Sequence, residues 1–167
     1  MEYCESTLVD IYRKNITDEN LILSYIHQIA EACHYLHTEK LFVHGDLKLE
    51  NILIKDGTIK LADFGVSLRL ASTTPEMIEN DRCGVKIDCW ALGCILYQLL
   101  GGKLAFVGKT KEEIRQNILN GNYKKSLNVS QSAINLLKRL LEPNANSRYS
   151  MNDVLNSSSA KEEPQLE

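Results

Sequence analysis

His44-Gly45-Asp46-Leu47-Lys48-Leu49-Glu50-Asn51, followed by Ala62-Asp63-Phe64-Gly65, is the stretch on which the reading of this 167-residue chain turns. An Asp is followed by a Lys two residues on, an Asn three residues beyond that, and a second Asp 17 residues after the first. Between the two motifs, Ile52-Leu53-Ile54 and Ile59-Lys60-Leu61 flank Lys55-Asp56-Gly57-Thr58, and Asp-Gly between apolar runs signals a hairpin. The small β-ribbon so formed carries one motif at each end and brings Asp46, Asn51 and Asp63 to one edge. Phosphoryl transfer requires a carboxylate to orient a hydroxyl and a cation to steady the moving phosphate. It also requires an amide and a second carboxylate to hold Mg²⁺.

The flanking sequence is mostly helical. Ile22, Ile26, Ile29, Cys33 and Leu36 recur at steps of four, three, four and three, which predicts an amphipathic helix over 17–37 with Thr17 or Asp18 as N-cap. Residues 87–100 are apolar nearly all round, from Ile87 through Trp90 to Leu100, which predicts a buried helix stopped by Gly101-Gly102. Further helices are expected over 110–119, opened by Thr110 with Glu112 and Glu113 in its first turn, and over 130–141, capped by Ser130. The second of these carries Ile134, Leu137 and Leu141 on one face. A short helix is expected over 149–156. The fold class is therefore mainly α with a small β-ribbon, and the chain shows no internal repeats.

Bulk properties exclude several classes. A formal charge of −3 and a pI of about 5.8 give no footprint for nucleic acid. No apolar run reaches the ~18 residues of a membrane span, and no basic stretch precedes an apolar one near Met1 as in a signal peptide. Cys4, Cys33, Cys83, Cys89 and Cys94 are odd in number and irregularly spaced, the usage of reduced thiols in a cytoplasmic or nuclear protein. His34 and His37 have a spacing that suits a metal on a helix, but no acidic or thiol partner is placed to complete a site.

The motifs as they stand resemble the protein kinase family, whose catalytic loop reads H-R-D-L-K-P-E-N and whose metal motif reads D-F-G. The resemblance runs from Met1 to about residue 157 and is to the helical C-terminal lobe, with 158–167 as a disordered tail. It implies Asp46 as the residue that orients the substrate hydroxyl or takes its proton, and Lys48 as the cation on the γ-phosphate. It implies Asn51 and Asp63 as holders of Mg²⁺. Met1-Glu2-Tyr3-Cys4 is similar to the hinge whose backbone holds the adenine of ATP, through Glu2 and Cys4, with Leu53 as its apolar floor. Asp88, opening Asp88-Cys89-Trp90-Ala91-Leu92-Gly93, is similar to the Asp that holds the catalytic-loop backbone. Glu76, in Thr74-Pro75-Glu76, and Arg148 match the family's A-P-E ion pair. Lys48 and Glu50 resemble the Ser/Thr class, with a protein as substrate or partner.

The chain departs from the family pattern at three places. No glycine loop or V-A-I-K lysine of the N-terminal lobe is among its residues, so an N-lobe supplied elsewhere is expected to complete the ATP site. Only eight residues, 66–73, separate Asp-Phe-Gly from Thr-Pro-Glu, about half the family's usual span. Gly45 stands where the Arg of H-R-D pairs with an activation-segment phosphate, so phosphate switching is expected to be lost. A smaller change, Leu49 for Pro, touches loop stiffness. The expected function is a Ser/Thr kinase homologue that is inactive as this chain alone, or a kinase-derived interaction module. In either case apolar surface is expected near Cys4, Leu8, Leu53 and Phe64, with His44 and Phe64 stacked into the core.

Overall fold

The structure is a computed structural model that describes residues 4–16, 18–69, 75–101, 103–125 and 127–157, with side chains at 68–69 and 75–83 outside the description. The expected tail and Thr17 lie outside the described residues. The first elements are β1 (Ser6–Thr7), α1 (Leu8–Arg13) and α2 (Glu19–Tyr35). Asp18 caps α2, its carboxylate accepting the Asn20 and Leu21 N–H groups at 3.0 and 3.2 Å. The predicted stripe holds from Ile22 through Ile26 and Ile29 to Cys33, all buried, whereas its last member, Leu36, is only half-buried and lies beyond the end of α2. At its C-terminal end α2 widens into a π-helical turn, Leu36–Lys40, which ends at Leu41 with φ +56°. Strand β1 and helix α1 escape the sequence reading. Their signal was Thr7 with Asp10 three residues on, whose carboxylate accepts the Thr7 N–H at 2.7 Å.

The ribbon forms as read. Strands β3 (Ile52–Lys55) and β4 (Thr58–Leu61) pair antiparallel in the register Ile52↔Leu61 and Lys55↔Thr58. Asp56 and Gly57 at the tip have φ of +48° and +72°, which a two-residue loop matched to the strand twist requires. Strand β1 adds to the other edge of β3, giving the order β1-β3-β4. A separate pair joins β2 (Phe42–Val43) to β5 (Leu68–Arg69), antiparallel. A short 3₁₀ turn, Leu49–Asn51, leads from the catalytic loop into β3.

Helix α3 spans Pro75–Gly101, 27 residues, and so begins well before the expected start at 87. Pro75 can open it because a first-turn residue needs no N–H partner. Cys89, Leu92, Ile95, Leu96 and Tyr97 are buried along it, whereas Ile87 is half exposed, so the apolar run is core on most but not every side. Helices α4 (Lys111–Leu119), α5 (Gln131–Leu140) and α6 (Met151–Leu155) are capped by Thr110, Ser130 and Ser150. In α5 the buried face is Ala133, Leu136, Leu137 and Leu140, and Leu141 at its C-cap is buried as well, so of the expected Ile134, Leu137 and Leu141 only Ile134 is partly exposed. One core joins α2, α3, α5, α6 and the ribbon. Burial of these aliphatic side chains, worth ~1.5–3 kcal/mol each, is the main favourable term of the fold. Among the described residues no helix is long and apolar enough to cross a membrane.

Candidate active site

Asp88 is the buried anchor of the site. Its side chain is fully buried in α3, yet both oxygens are satisfied. Oδ2 accepts the His44 N–H at 2.8 Å and Oδ1 the Gly45 N–H at 2.9 Å. His37 Nε2 lies 2.8 Å from Oδ2. A carboxylate taken out of water is tolerable only when such partners replace its hydration. The expected role of Asp88, holding the catalytic-loop backbone, is thus present as two charge-assisted hydrogen bonds. The His34–His37 spacing suits a metal on a helix, but His37 is instead a partner of Asp88. No periodicity marks it, because the π-helical turn shifts it out of the α2 register.

His44 carries the connection onward. Its Nδ1 accepts the Asp46 N–H at 3.3 Å, so Nε2 is the donor to the Ala62 carbonyl at 3.0 Å. One buried imidazole therefore ties the backbone before Asp63 to the backbone of Asp46. Phe64 touches the His44 ring, with centroids 4.9 Å apart. Phe64 is nevertheless 48% exposed, so only His44 belongs to the core. Leu8 is fully buried under α1 and is not part of any exposed apolar face. Phe64 is exposed as expected, and Leu41 and Val66 are exposed too, at 44% and 58%.

Asp46, Lys48 and Asn51 converge on one another. Lys48 Nζ donates to Asp46 Oδ2 at 2.6 Å, and Asn51 Nδ2 donates to the same oxygen at 3.0 Å and to the Asp46 carbonyl at 2.9 Å. The Lys48 ammonium bonded to Asp46 holds its carboxyl below the usual carboxylate range, and Asp46 in turn raises the Lys48 pKa. The pair is partly exposed, at 47% for Lys48 and 35% for Asp46, so water screens it. Asp46 is therefore a carboxylate at neutral pH, the form that accepts a proton.

Asp63 sits at the end of β4 with φ +60°, a left-handed conformation that Asp tolerates better than most residues. Its Oδ1 accepts the Gly65 N–H at 3.2 Å, and its side chain is exposed. The donor set fits Mg²⁺ bound to nucleotide phosphates. Asn51 has its amide nitrogen committed to Asp46, which leaves its amide oxygen as the ligating atom. Asp63 adds a carboxylate, and both are hard oxygen donors. Among the described residues no group of three or more His, Cys, Asp or Glu side chains could hold a metal ion.

Gly45, where the family has Arg, takes φ +79°, and a Cβ built there would lie 3.3 Å from the Val66 carbonyl oxygen. Ser67 closes the same approach, its hydroxyl donating to the His44 carbonyl at 3.2 Å. Sequence reasoning did not single out Ser67, since nothing local marks it. On the hinge side, Cys4 is half-buried and the Glu5 N–H donates to the Ile54 carbonyl at 3.2 Å, so this segment runs beside the strand that carries Leu53. Glu2 lies outside the described residues, as does the Glu76 side chain. Arg148 is held by the carbonyls of Glu142, Lys86 and Pro143 at 2.8, 2.8 and 3.1 Å and lies over the Trp90 ring at 4.7 Å.

A family model described as protein kinase domain matches residues 1–159, and the chain belongs to the protein kinase family. It is 33% identical to the serine/threonine-protein kinase Nek1 of Mus musculus, over 93% of this chain and 14% of that protein. It is 35% identical to Aurora kinase A-B of Xenopus laevis, over 83% of this chain and 37% of that protein. The chain thus spans well under half the length of these relatives. Among solved structures, the Rad53 kinase domain with SCD2 superimposes on all of this chain and 68% of its own, with a TM-score of 0.86 and 28% identity. Serine/threonine kinase homology and the kinase-like fold, mainly helical with a small antiparallel sheet, are therefore established.

Proposed function

We propose that this chain is the C-terminal lobe of a serine/threonine protein kinase and supplies the catalytic half of an ATP-dependent phosphoryl-transfer site for protein hydroxyls. The observation that carries this reading is the Asn51 amide, which bridges the Asp46 carbonyl and carboxylate and so fixes both the base and its own free oxygen. Asp46 orients the substrate hydroxyl and takes its proton. Lys48, 2.6 Å from Asp46, is placed to follow the phosphoryl group as it approaches that hydroxyl. Asn51 and Asp63 hold Mg²⁺, which neutralises charge on the phosphates when bound. Cys4 and Leu53 border the adenine.

We further propose that residues 1–167 alone do not turn over. The amides of a glycine loop and the clamping lysine are not among these residues, and such preorganised donors supply most of the rate in phosphoryl transfer. Nucleotide affinity then sits near or above ~1 mM, about −4 kcal/mol. Calorimetry with ATP–Mg²⁺ and a radiolabel transfer assay test this, with and without a kinase N-lobe fused ahead of Met1. Transfer is expected only in the fusion and is lost there in Asp46→Asn. Micromolar binding, or Asp46-dependent turnover in the unfused chain, overturns the inactivity. A well-folded fusion with no transfer overturns the catalytic reading. That last result favours a partner-binding module, a second reading supported by the exposed Leu41, Phe64 and Val66.

A further inference from the structure

His44 is engaged through every polar group it owns. Its N–H donates to Asp88 Oδ2 at 2.8 Å, its Nδ1 accepts the Asp46 N–H at 3.3 Å, and its Nε2 lies 3.0 Å from the Ala62 carbonyl. The fourth group, its carbonyl, accepts the Ser67 hydroxyl at 3.2 Å. Asp63 lies in the chain between the last two partners. Ala62 directly precedes it and Ser67 follows it by four residues, so one fully buried residue holds the chain on both sides of that carboxylate.

The two sides are not equally secure. Upstream, the Ala62 N–H also donates to the Asn51 carbonyl at 2.9 Å, at the end of the β3–β4 ribbon. Downstream, Phe64, Gly65 and Val66 are exposed. The backbone bonds there are local: the Gly65 N–H donates to Asp63 Oδ1 at 3.2 Å and the Ser67 N–H to the Phe64 carbonyl at 3.1 Å. Strand pairing resumes only at Leu68, opposite Val43. Among the described residues, the Ser67 hydroxyl therefore makes the one hydrogen bond from residues 63–67 to the catalytic loop, beside the ring contact of Phe64 with His44. Gly45 leaves room for it, since a Cβ there would stand 3.3 Å from the Val66 carbonyl oxygen and press on the residue before Ser67.

We infer that Ser67 is a positioning residue for Asp63, an inference that rests on the reading of Asn51 and Asp63 as holders of Mg²⁺. Asn51 is already fixed by its two bonds to Asp46. Asp63 is exposed, sits at φ +60°, and depends on the chain to either side of it. Stapling Ser67 to His44 closes residues 62–67 into a loop whose two ends meet one buried residue, which limits where the carboxylate can swing. The staple consists of a neutral hydroxyl and a backbone carbonyl. It needs neither a phosphate nor an arginine at position 45, so it orders the metal-holding edge in a chain whose phosphate receptor is a glycine.

Ser67→Ala removes the donor, and Ser67→Thr keeps it. In the full chain, NMR hydrogen exchange at the Gly65 and Ser67 amides is expected to speed up about fivefold in Ser67→Ala, the equivalent of one neutral hydrogen bond, with the buried Ile29 and Leu92 amides unchanged. Mn²⁺ with ADP is the metal probe, because paramagnetic broadening reports millimolar binding. Broadening is expected at Asn51 and Asp63 in the parent, with up to about fivefold more Mn²⁺–ADP needed in Ser67→Ala. Ser67→Thr is expected to match the parent in both measurements. Parent-like exchange or a parent-like Mn²⁺–ADP response in Ser67→Ala overturns the inference alone. So does a Thr variant that melts as the parent does yet behaves as Ala. A parent chain with no broadening at Asn51 and Asp63 overturns the reading of those two residues as metal holders, and the inference with it.

Discussion

Replacing Asp88 with Ala removes the acceptor of two backbone N–H groups at once. The His44 N–H is buried and loses its only described partner, a cost of about 1–3 kcal/mol for an unsatisfied donor. The Gly45 N–H is nearer to water, so its loss falls at the low end, about 1 kcal/mol. Together they come to about 2–4 kcal/mol, a sizeable share of the ~5–15 kcal/mol that holds a domain folded. For a chain of this size that is a fall in Tm of roughly 6–12 °C. Asp88→Asn keeps one oxygen acceptor but turns an NH₂ toward the other donor, so it should lose about half as much. Urea denaturation followed by Trp90 fluorescence measures both, and amide exchange at His44 and Gly45 should accelerate beyond the global change. If Asp88→Ala costs less than ~1 kcal/mol, or if Asn and Ala are indistinguishable from the parent, Asp88 does not hold the loop.

Gly45→Arg restores the family residue but forces a side chain into φ +79° beside the Val66 carbonyl. Thermal melts should show a loss of about 1–2 kcal/mol rather than a gain. Lys48→Met removes the largest cause of the low Asp46 pKa, so an NMR titration should show the Asp46 carboxyl rising toward the ordinary range. The sign follows from linkage. A depressed native pKa contributes stability above the unfolded value and loses it as pH falls through the native one, so the parent should hold this small contribution to lower pH than the variant. Burial pushes the Cys89 and Cys94 thiols up to about 11 and raises Cys33 as well. Iodoacetamide at pH 8 should therefore leave all three unmodified in the native chain and modify them after unfolding, as mass spectrometry of peptides can show.

Legibility in the sequence followed the range of the interaction. The ribbon, the caps Asp18, Thr110 and Ser130, and the stripe of α2 are written in neighbouring residues, and each was readable. Asp46, Lys48 and Asn51 lie within six residues and meet as their spacing suggests. What failed was non-local or depended on a break in period. The π-helical turn that delivers His37 to Asp88 leaves no mark in a 3.6-residue pattern. Ser67 gains its partner only because β5 returns to β2. Leu8 looked like surface because α1 was not read, and a leucine in a short capped helix has a core to face. The start of α3 was placed at the first apolar run, although its polar first turns are helical too.

The link from Asp88 to the catalytic loop sets an order of events during synthesis. His37, His44 and Gly45 leave the ribosome 51, 44 and 43 residues before their shared partner. Until Asp88 emerges, the loop has its full set of reactive side chains but nothing to hold its two N–H groups. The nascent chain thus carries the motif without the shape, and the two arrive together only when α3 docks onto α2. A fragment ending before residue 88 would retain both motifs of the loop and the ribbon between them, but not the carboxylate that holds the His44 and Gly45 backbone.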